Sequence, residues 1–238
     1  MTGSLHSSAP VALIIGAGPG IGRSVAKRFA QEGYAIALVA RTQATLSTVA
    51  ESLRAEGVEI RGYQADSGDE TALRAALDAA ADDLGVPDVL VYNAAVIRAD
   101  EAGELSIRDH LESWSVNVLG AMAAIEHLAP RMKRAGGTCI VTGGMPEPDP
   151  RYVSLSLGKV GVRALVEMLA ARHGPDGIHV ATVTVGGAVA PGTAYDPDEI
   201  ASHYVRLHDQ PRAEWETLVE LIAEDRHPRS RTSRIVRA

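Results

Sequence analysis

Short apolar runs alternate with longer stretches of helical periodicity, at a spacing of about 25 to 40 residues. The runs predict strands at residues 11–15, 34–40, 58–64, 88–92, 138–142 and 178–185, with a further candidate at 232–236. The longer stretches predict helices from residue 21 onward, between residues 41 and 56, and at 69–83, 106–134, 152–172, 198–207 and 212–224. Regular alternation of strands and helices predicts an α/β protein with a parallel, doubly wound sheet.

The first predicted strand leads directly into a glycine-rich turn, GAGPGIG at residues 16–22. Ile21, Val25 and Phe29 then fall on one side of a helix, so the turn joins a buried strand to a helix. Without side chains the backbone can approach a pyrophosphate, and the helix N-terminus offers free N–H groups and a partial positive charge. A tight turn with no ligand is the alternative, but the flanking strand and helix favour a dinucleotide site.

Composition narrows the partners. The net charge of −7 argues against nucleic acid or an anionic membrane surface as the main partner. Five arginines and no acidic residue lie at 226–238, which predicts a basic, solvated C-terminal tail that could touch a neighbouring subunit or a phosphate.

Cellular location and metal content are also constrained. Cys139 is the only cysteine, which excludes an intrachain disulfide and fits a reducing compartment. Residues 1–10 lack a signal-peptide pattern and are expected to be flexible, and no apolar stretch is long enough to cross a bilayer. The eight histidines show no metal-ligand spacing. We therefore expect a cytoplasmic protein without a metal site.

The glycine spacing is specific. Gly16, Gly20 and Gly22 fit G-x-x-x-G-x-G, which resembles the short-chain dehydrogenase/reductase family. The resemblance extends over roughly residues 11–189 and implies a single Rossmann-type domain spanning residues 1–238, with three α/β/α layers and a bound NAD or NADP. It also implies a small-molecule substrate and a homodimer or homotetramer.

The resemblance assigns further cofactor contacts. Beside the turn residues Gly16, Gly20, Ile21 and Gly22, it implies contacts from Asp66 and Ser67 to the adenine, from Asn93 after the fourth strand, and from Lys159, Val189 and Thr193. Turn chemistry is the alternative for Asn93. Arg41 follows the second strand where NAD enzymes carry an acidic residue, and a guanidinium there favours the 2′-phosphate of NADP over NAD. An ordinary loop charge is the alternative for Arg41.

The catalytic residues follow the family pattern with one departure. Family members use an Asn, a Ser, a Tyr and a Lys four residues after the Tyr. Asn117 and Lys159 match, although a buried, structural Asn is the alternative for Asn117, and Thr142 takes the place of the serine with a hydroxyl that can still donate. Leu155 occupies the tyrosine position and has no proton to give.

The departure changes the expected chemistry. General acid catalysis contributes about 10²- to 10⁴-fold, so carbonyl reduction without it should be slow, whereas an iminium ion accepts hydride without a proton. Tyr152, about one helical turn from Leu155, is a candidate substitute, with surface packing as its alternative. The leading hypothesis is an NADP(H)-dependent oxidoreductase with a non-tyrosine mechanism. An NADP-binding pseudoenzyme and a non-redox cyclase or isomerase are the alternatives. Substrate contacts are expected from residues 96–97, 145–151 and 195–207.

Overall fold

Strands and helices alternate through the computed structural model, which describes residues 9–133 and 136–223. The strands are β1 (Val11–Ile15), β2 (Ala35–Ala40), β3 (Ile60–Gln64), β4 (Val89–Tyr92), β5 (Gly137–Gly144), β6 (Ile178–Val185) and β7 (Leu218–Leu221). The helices are α1 (Ile21–Gln31), α2 (Gln43–Ser52), α3 (Glu70–Leu84), α4 (Ile107–Trp114), α5 (Gly120–Met132), α6 (Val153–His173) and α7 (Pro197–His208). The six main predicted strands are all present.

All seven strands pair in parallel, in the order β3-β2-β1-β4-β5-β6-β7. Every residue of β1, β2, β4 and β6 is buried, as expected for strands covered on both faces, whereas the edge strand β3 is mostly exposed. The order reverses between β1 and β4, which is the point where doubly wound sheets form a ligand crevice. The predicted Rossmann-type fold is confirmed.

Two apolar clusters, one on each face of the sheet, make the three layers. One cluster packs α3, α5 and α6 against the sheet through residues such as Leu77, Leu128 and Val166. The other packs α1, α2 and α7 through Phe29, Leu46 and Leu207. Because β1 and β4 contribute residues to both clusters, their carboxyl ends are held rigidly, and the loops that follow them inherit fixed positions.

Local signals explain where several helices begin. Asp69 caps α3 by accepting a hydrogen bond from the Ala72 amide at 3.0 Å. Ser106 and Asp109 form a reciprocal capping box at the start of α4. The predicted helix 106–134 is interrupted, however, because residues 115–119 form a π-helical segment between α4 and α5. Such segments concentrate at functional sites, and this one contains Asn117.

The C-terminal prediction was wrong in one place. The helix predicted at 212–224 is absent from the described residues; only Arg212–Glu214 form a 3-10 turn, and Leu218–Leu221 pair with β6 as strand β7. The backbone N–H and C=O groups of β6 pair with this extended segment. A four-residue apolar pattern does not indicate such pairing, because it depends on the neighbouring strand. The strand suggested at 232–236, the tail 226–238 and most of residues 1–10 lie outside the described residues.

Within residues 9–133 and 136–223, no helix combines the length and apolar character needed to cross a membrane. In the same part of the chain, no three His, Cys, Asp or Glu side chains are grouped to hold a metal ion.

Candidate active site

A cleft of about 1000 Å³ lies at the carboxyl ends of the strands. Its walls are the segments that follow strands β1 to β6, together with the first turns of α6. A volume of this size accommodates a dinucleotide with a small organic molecule beside it. The polar side chains that face it come from several loops on a rigid sheet, which is the arrangement of a ligand-binding crevice.

The glycine turn presents unpaired backbone donors to this cleft. Arg23 and Ser24 donate their amides to the Gly18 and Gly20 carbonyls, but the amides of Gly20, Ile21 and Gly22 meet no acceptor among the described residues. Gly20 precedes α1 without a side-chain cap. Three free amides at a helix N-terminus form an anion site, so the residues present fit a pyrophosphate.

Two of the glycines are required by close packing. Gly16 has a φ of +85°, and a Cβ there would lie 2.4 Å from the Ala94 amide nitrogen. A Cβ on Gly22 would lie 2.4 Å from the Gly16 carbonyl oxygen. A Cβ on Gly18 or Gly20 would meet nothing within 4 Å, because these two positions face the open cleft. The turn therefore has a structural side and a ligand-facing side.

Arg41 lines the cleft beyond the end of β2. Its carbonyl accepts a hydrogen bond from Gln64 at 3.0 Å, and its exposed guanidinium makes no ion pair or hydrogen bond with any described residue. Ser67 is buried at the cleft wall, whereas Asp66 is exposed, accepts the Gly68 amide at 2.8 Å and does not line the cleft. Of the two predicted adenine contacts, Ser67 therefore lines the cleft and Asp66 lies beside it on the exposed surface, and both contacts stay predictions.

A chain of hydrogen bonds fixes the turn from behind. The side-chain nitrogen Nδ2 of Asn93 donates to the Gly16 carbonyl at 2.9 Å, and the Thr142 hydroxyl donates to Asn93 Oδ1 at 2.9 Å. Because Thr142 has only one hydroxyl hydrogen, Tyr204 must donate to Thr142 Oγ1, at 2.7 Å. Burial raises the pKa of Tyr204, so its phenol stays protonated for this role.

Asn117 is held in the π-helical segment against α6. Its Oδ1 accepts the Val96 amide at 2.7 Å, and its amide nitrogen donates to the Val96 carbonyl at 3.3 Å. A Cβ on Gly158 would lie 2.9 Å from the Asn117 Cβ, so Gly158 permits this close approach. Asn117 thereby fixes the loop after β4, including the cleft residues Val96 and Ile97, rather than lining the cleft itself.

Lys159 is buried in the cleft wall, and its Nζ donates to the Thr142 carbonyl at 2.8 Å. Desolvation lowers its pKa to about 8. Leu155 lies one turn earlier on α6, lines the same cleft and is 5% exposed. An aliphatic side chain and a buried amine therefore stand side by side in the cleft wall.

The loop after β5 forms the other wall. Met145 has a φ of +47°, which is unusual for a residue with a side chain. Arg163 holds this turn by donating to the Gly144 and Met145 carbonyls at 3.3 and 3.0 Å. Tyr152 also lines the cleft, immediately before α6, and Arg151 forms an ion pair with Asp149 at 2.7 Å. The loop 145–151 reaches the cleft as expected.

The segment after β6 brings one of its two predicted cofactor residues to the cleft. Val189 lines the cleft, but Thr193 turns its hydroxyl to the Ala190 carbonyl at 2.8 Å and does not line it. The described cleft lining contains no residue of 195–207. Tyr204, expected there as a substrate contact, is fully buried beneath Thr142.

Three site residues were missed or misplaced by sequence reasoning. Tyr204 bonds to Thr142, 62 positions away in the chain, and Arg163 bonds to Met145, 18 positions away. No local sequence pattern reveals contacts at such separations. Asp100 is buried and accepts from the Ser154 amide and hydroxyl at 2.9 and 2.8 Å, so it anchors the start of α6 from another loop.

A parallel sheet in this order, with free glycine-turn amides at its switch point, defines a dinucleotide-binding protein. The sequence pattern of the family described as short chain dehydrogenase matches residues 10–199. The chain belongs to this family of oxidoreductases.

Individual relatives agree with this assignment. The chain is 32% identical over 177 residues to the D-threitol dehydrogenase of Mycolicibacterium smegmatis, covering 73% of this chain and 68% of the relative. It is 30% identical over 197 residues to a 3-oxoacyl-[acyl-carrier-protein] reductase of Staphylococcus aureus, covering 79% and 78%. An alcohol dehydrogenase of the archaeon Thermococcus sibiricus, solved with 5-hydroxy-NADP, superimposes with a TM-score of 0.84 at 28% identity, covering 93% of this chain and 100% of that one.

Proposed function

We propose that the chain is an NADP(H)-dependent oxidoreductase that moves hydride to or from a small organic substrate without a tyrosine at position 155. The observation that carries the proposal is the set of free amides at Gly20, Ile21 and Gly22, which open onto a cleft that also contains Lys159. We propose that residues 1–238 form one such domain, acting in the cytoplasm.

The preference for NADP rests on charge. The Arg41 guanidinium is unpaired among the described residues and stands at the cleft beside the end of β2. A guanidinium can hold a 2′-phosphate bidentately, and a carboxylate would repel it. The similar Thermococcus sibiricus structure contains 5-hydroxy-NADP, which supports the same choice.

The substrate end of the cleft is shaped by Leu155, Tyr152 and the loop 145–151. NADPH bound in this cleft would supply a hydride. We propose that Lys159 and Val189 hold the cofactor in place and that Asn117 supports the loop carrying Val96. Two kinds of acceptor suit such a site: a preformed iminium ion, which needs no proton, and a neutral carbonyl or imine, which needs a donor other than residue 155.

The test is binding followed by turnover. Calorimetry should detect NADPH more tightly bound than NADH, and a panel of polyols, ketones and cyclic imines should contain a member that consumes or generates NADPH. Tight binding with no turnover across the panel, even after Leu155→Tyr, would favour a pseudoenzyme. Turnover that persists after NADPH is removed would favour a cyclase or isomerase.

We also propose a homodimer or homotetramer, built on the face of α4 and α6. These helices pack together, and large apolar side chains are exposed on both of them: Ile107 (81%) and Leu111 (63%) on α4, and Met168 (63%) on α6. Large apolar side chains grouped on one face mark an interaction surface. Leu111→Glu should shift the mass measured by light scattering toward the monomer, whereas Val86→Glu, at an exposed position after α3, should not. An unchanged mass for both variants would refute this interface.

A further inference from the structure

The surroundings of Lys159 offer few other protons. Leu155 on the same helix is aliphatic, and Gly144 at the end of β5 has no side chain. A Cβ on Gly144 would lie 3.5 Å from the Lys159 Cε, so the absence of a side chain leaves space directly beside the amine. The Thr142 hydroxyl gives its only hydrogen to Asn93. The hydroxyl expected to serve the substrate is therefore engaged on the other side of its strand.

Lys159 has hydrogens to spare. Its ammonium carries three N–H bonds, of which one is directed to the Thr142 carbonyl at 2.8 Å. No carboxylate pairs with it among the described residues, and its side chain is only 6% exposed while lining the cleft. An unpaired ammonium in an apolar wall is a stronger acid than an exposed lysine, and burial lowers the Lys159 pKa to about 8. A general acid works best when its pKa is near the working pH.

We propose that Lys159 itself delivers the proton to a neutral hydride acceptor, in place of a phenol at position 155. This inference rests on the oxidoreductase function proposed above. The carbonyl or imine carbon would gain a C–H bond by taking hydride from NADPH, whose nicotinamide C–H bond breaks and which is oxidised to NADP⁺, and the π pair moves to the oxygen or nitrogen. That atom takes a proton from Lys159, whose N–H bond breaks. The neutral amine then regains a proton from water, and the reverse sequence applies to oxidation.

The experiment compares two acceptors of similar size and shape. β-Tetralone needs a proton with the hydride, and the N-methyl-dihydroisoquinolinium ion does not. The readout is the ratio of ketone to iminium kcat/KM with NADPH, because the ratio cancels any loss of cofactor binding. Lys159→Met should lower this ratio about 10²- to 10⁴-fold. Lys159→Arg retains the positive charge but cannot release a proton, so it should not restore the ratio.

Each outcome decides the question. The proposal is supported if the ketone-to-iminium ratio of the wild type falls as the pH rises through about 8. It also requires that this ratio be lowered in both Lys159 variants. If Lys159→Arg retains the wild-type ratio, the role of Lys159 is purely electrostatic. If Tyr152→Phe lowers the ratio, Tyr152 is the proton donor. Either result overturns the proposal. If the wild type reduces the iminium ion but not β-tetralone, the proton-donor proposal is overturned and the oxidoreductase function stands. No reduction of either probe removes both.

A measurement without substrate checks the same amine. The free energy of unfolding of the wild type minus that of Lys159→Met should rise with pH from about 8 upward, because the unfolded chain holds the lysine proton to higher pH than the folded chain does. A flat difference between pH 7 and 10 would show that Lys159 titrates like an exposed lysine and would overturn the proposal.

Discussion

Single glycine-to-alanine substitutions in the glycine turn test folding and cofactor binding separately. Gly20→Ala places a methyl group where the structure has no atom within 4 Å, in the space before the free amides of Gly20, Ile21 and Gly22. The change should therefore be tolerated by the fold. It should not be tolerated by an anion that approaches these amides to hydrogen-bond distance.

The expected magnitudes differ for the two properties. Alanine is a poorer residue than glycine before a helix, so Gly20→Ala should cost about 1 kcal/mol of stability. A methyl group in front of the amides keeps a phosphate oxygen beyond hydrogen-bond distance. Losing one hydrogen bond to a charged group costs about 1.5–3 kcal/mol. That loss corresponds to a roughly 10- to 150-fold weaker affinity for NADPH.

Two matched variants complete the assay. Gly18→Ala also meets nothing within 4 Å and should leave stability unchanged, whereas Gly16→Ala combines a φ of +85° with a 2.4 Å contact to the Ala94 amide nitrogen and should cost about 3 kcal/mol or more. Urea unfolding measures stability and calorimetry measures NADPH affinity. The reasoning is refuted if Gly20→Ala binds NADPH like the wild type, or if Gly16→Ala unfolds at the wild-type urea concentration.

Three further predictions concern side chains. Arg41→Ala should weaken NADPH about 10- to 150-fold in calorimetry and leave NADH unchanged, with Arg54→Ala outside the cleft as control; equal losses for both cofactors would contradict the 2′-phosphate contact. Tyr204→Phe leaves Thr142 Oγ1 without its donor and should cost about 1–3 kcal/mol in urea unfolding, and no change would show that the bond is dispensable. Lys159→Met should be more stable than the wild type at pH 7, because burial of the charged amine lowers its pKa to about 8. At roughly 1.4 kcal/mol per pKa unit, the gain is up to about 3 kcal/mol. A less stable variant would contradict the cost of burying this amine.

The layered fold was predictable because its signals are local. Runs such as Val11–Ile15 are uniformly apolar and lie between a proline and a glycine, and β1 matches its predicted bounds. The π-helical residues 115–119 were not predictable, because the apolar periodicity runs on through them. Within them Asn117 bonds to Val96, 21 positions away, and a local pattern does not reveal such a contact. Strand β7 depends on pairing with β6, which the four residues Leu218–Leu221 do not encode by themselves.

The site was predictable to the extent that it follows the strand ends. Gly20 and Arg41 line the cleft because Gly20 lies in the turn that follows β1 and Arg41 comes directly after β2, two strands whose ends are fixed by the sheet. Asp66 and Thr193 were placed by family resemblance, and in the structure each side chain bonds to nearby backbone, so their cofactor contacts stay predictions. Tyr204 required knowledge of how α7 packs beneath β5, which is a tertiary contact.

The central claim is that this cleft transfers hydride from NADPH without a phenol as proton donor. Its most direct measurement uses NADPH carrying deuterium at the transferring position, with β-tetralone and the Tyr152→Phe protein, followed by mass spectrometry of the alcohol. The account predicts an alcohol one mass unit heavier, formed at close to the wild-type rate. An alcohol without deuterium, or no alcohol from Tyr152→Phe while the wild type produces it, would contradict the claim.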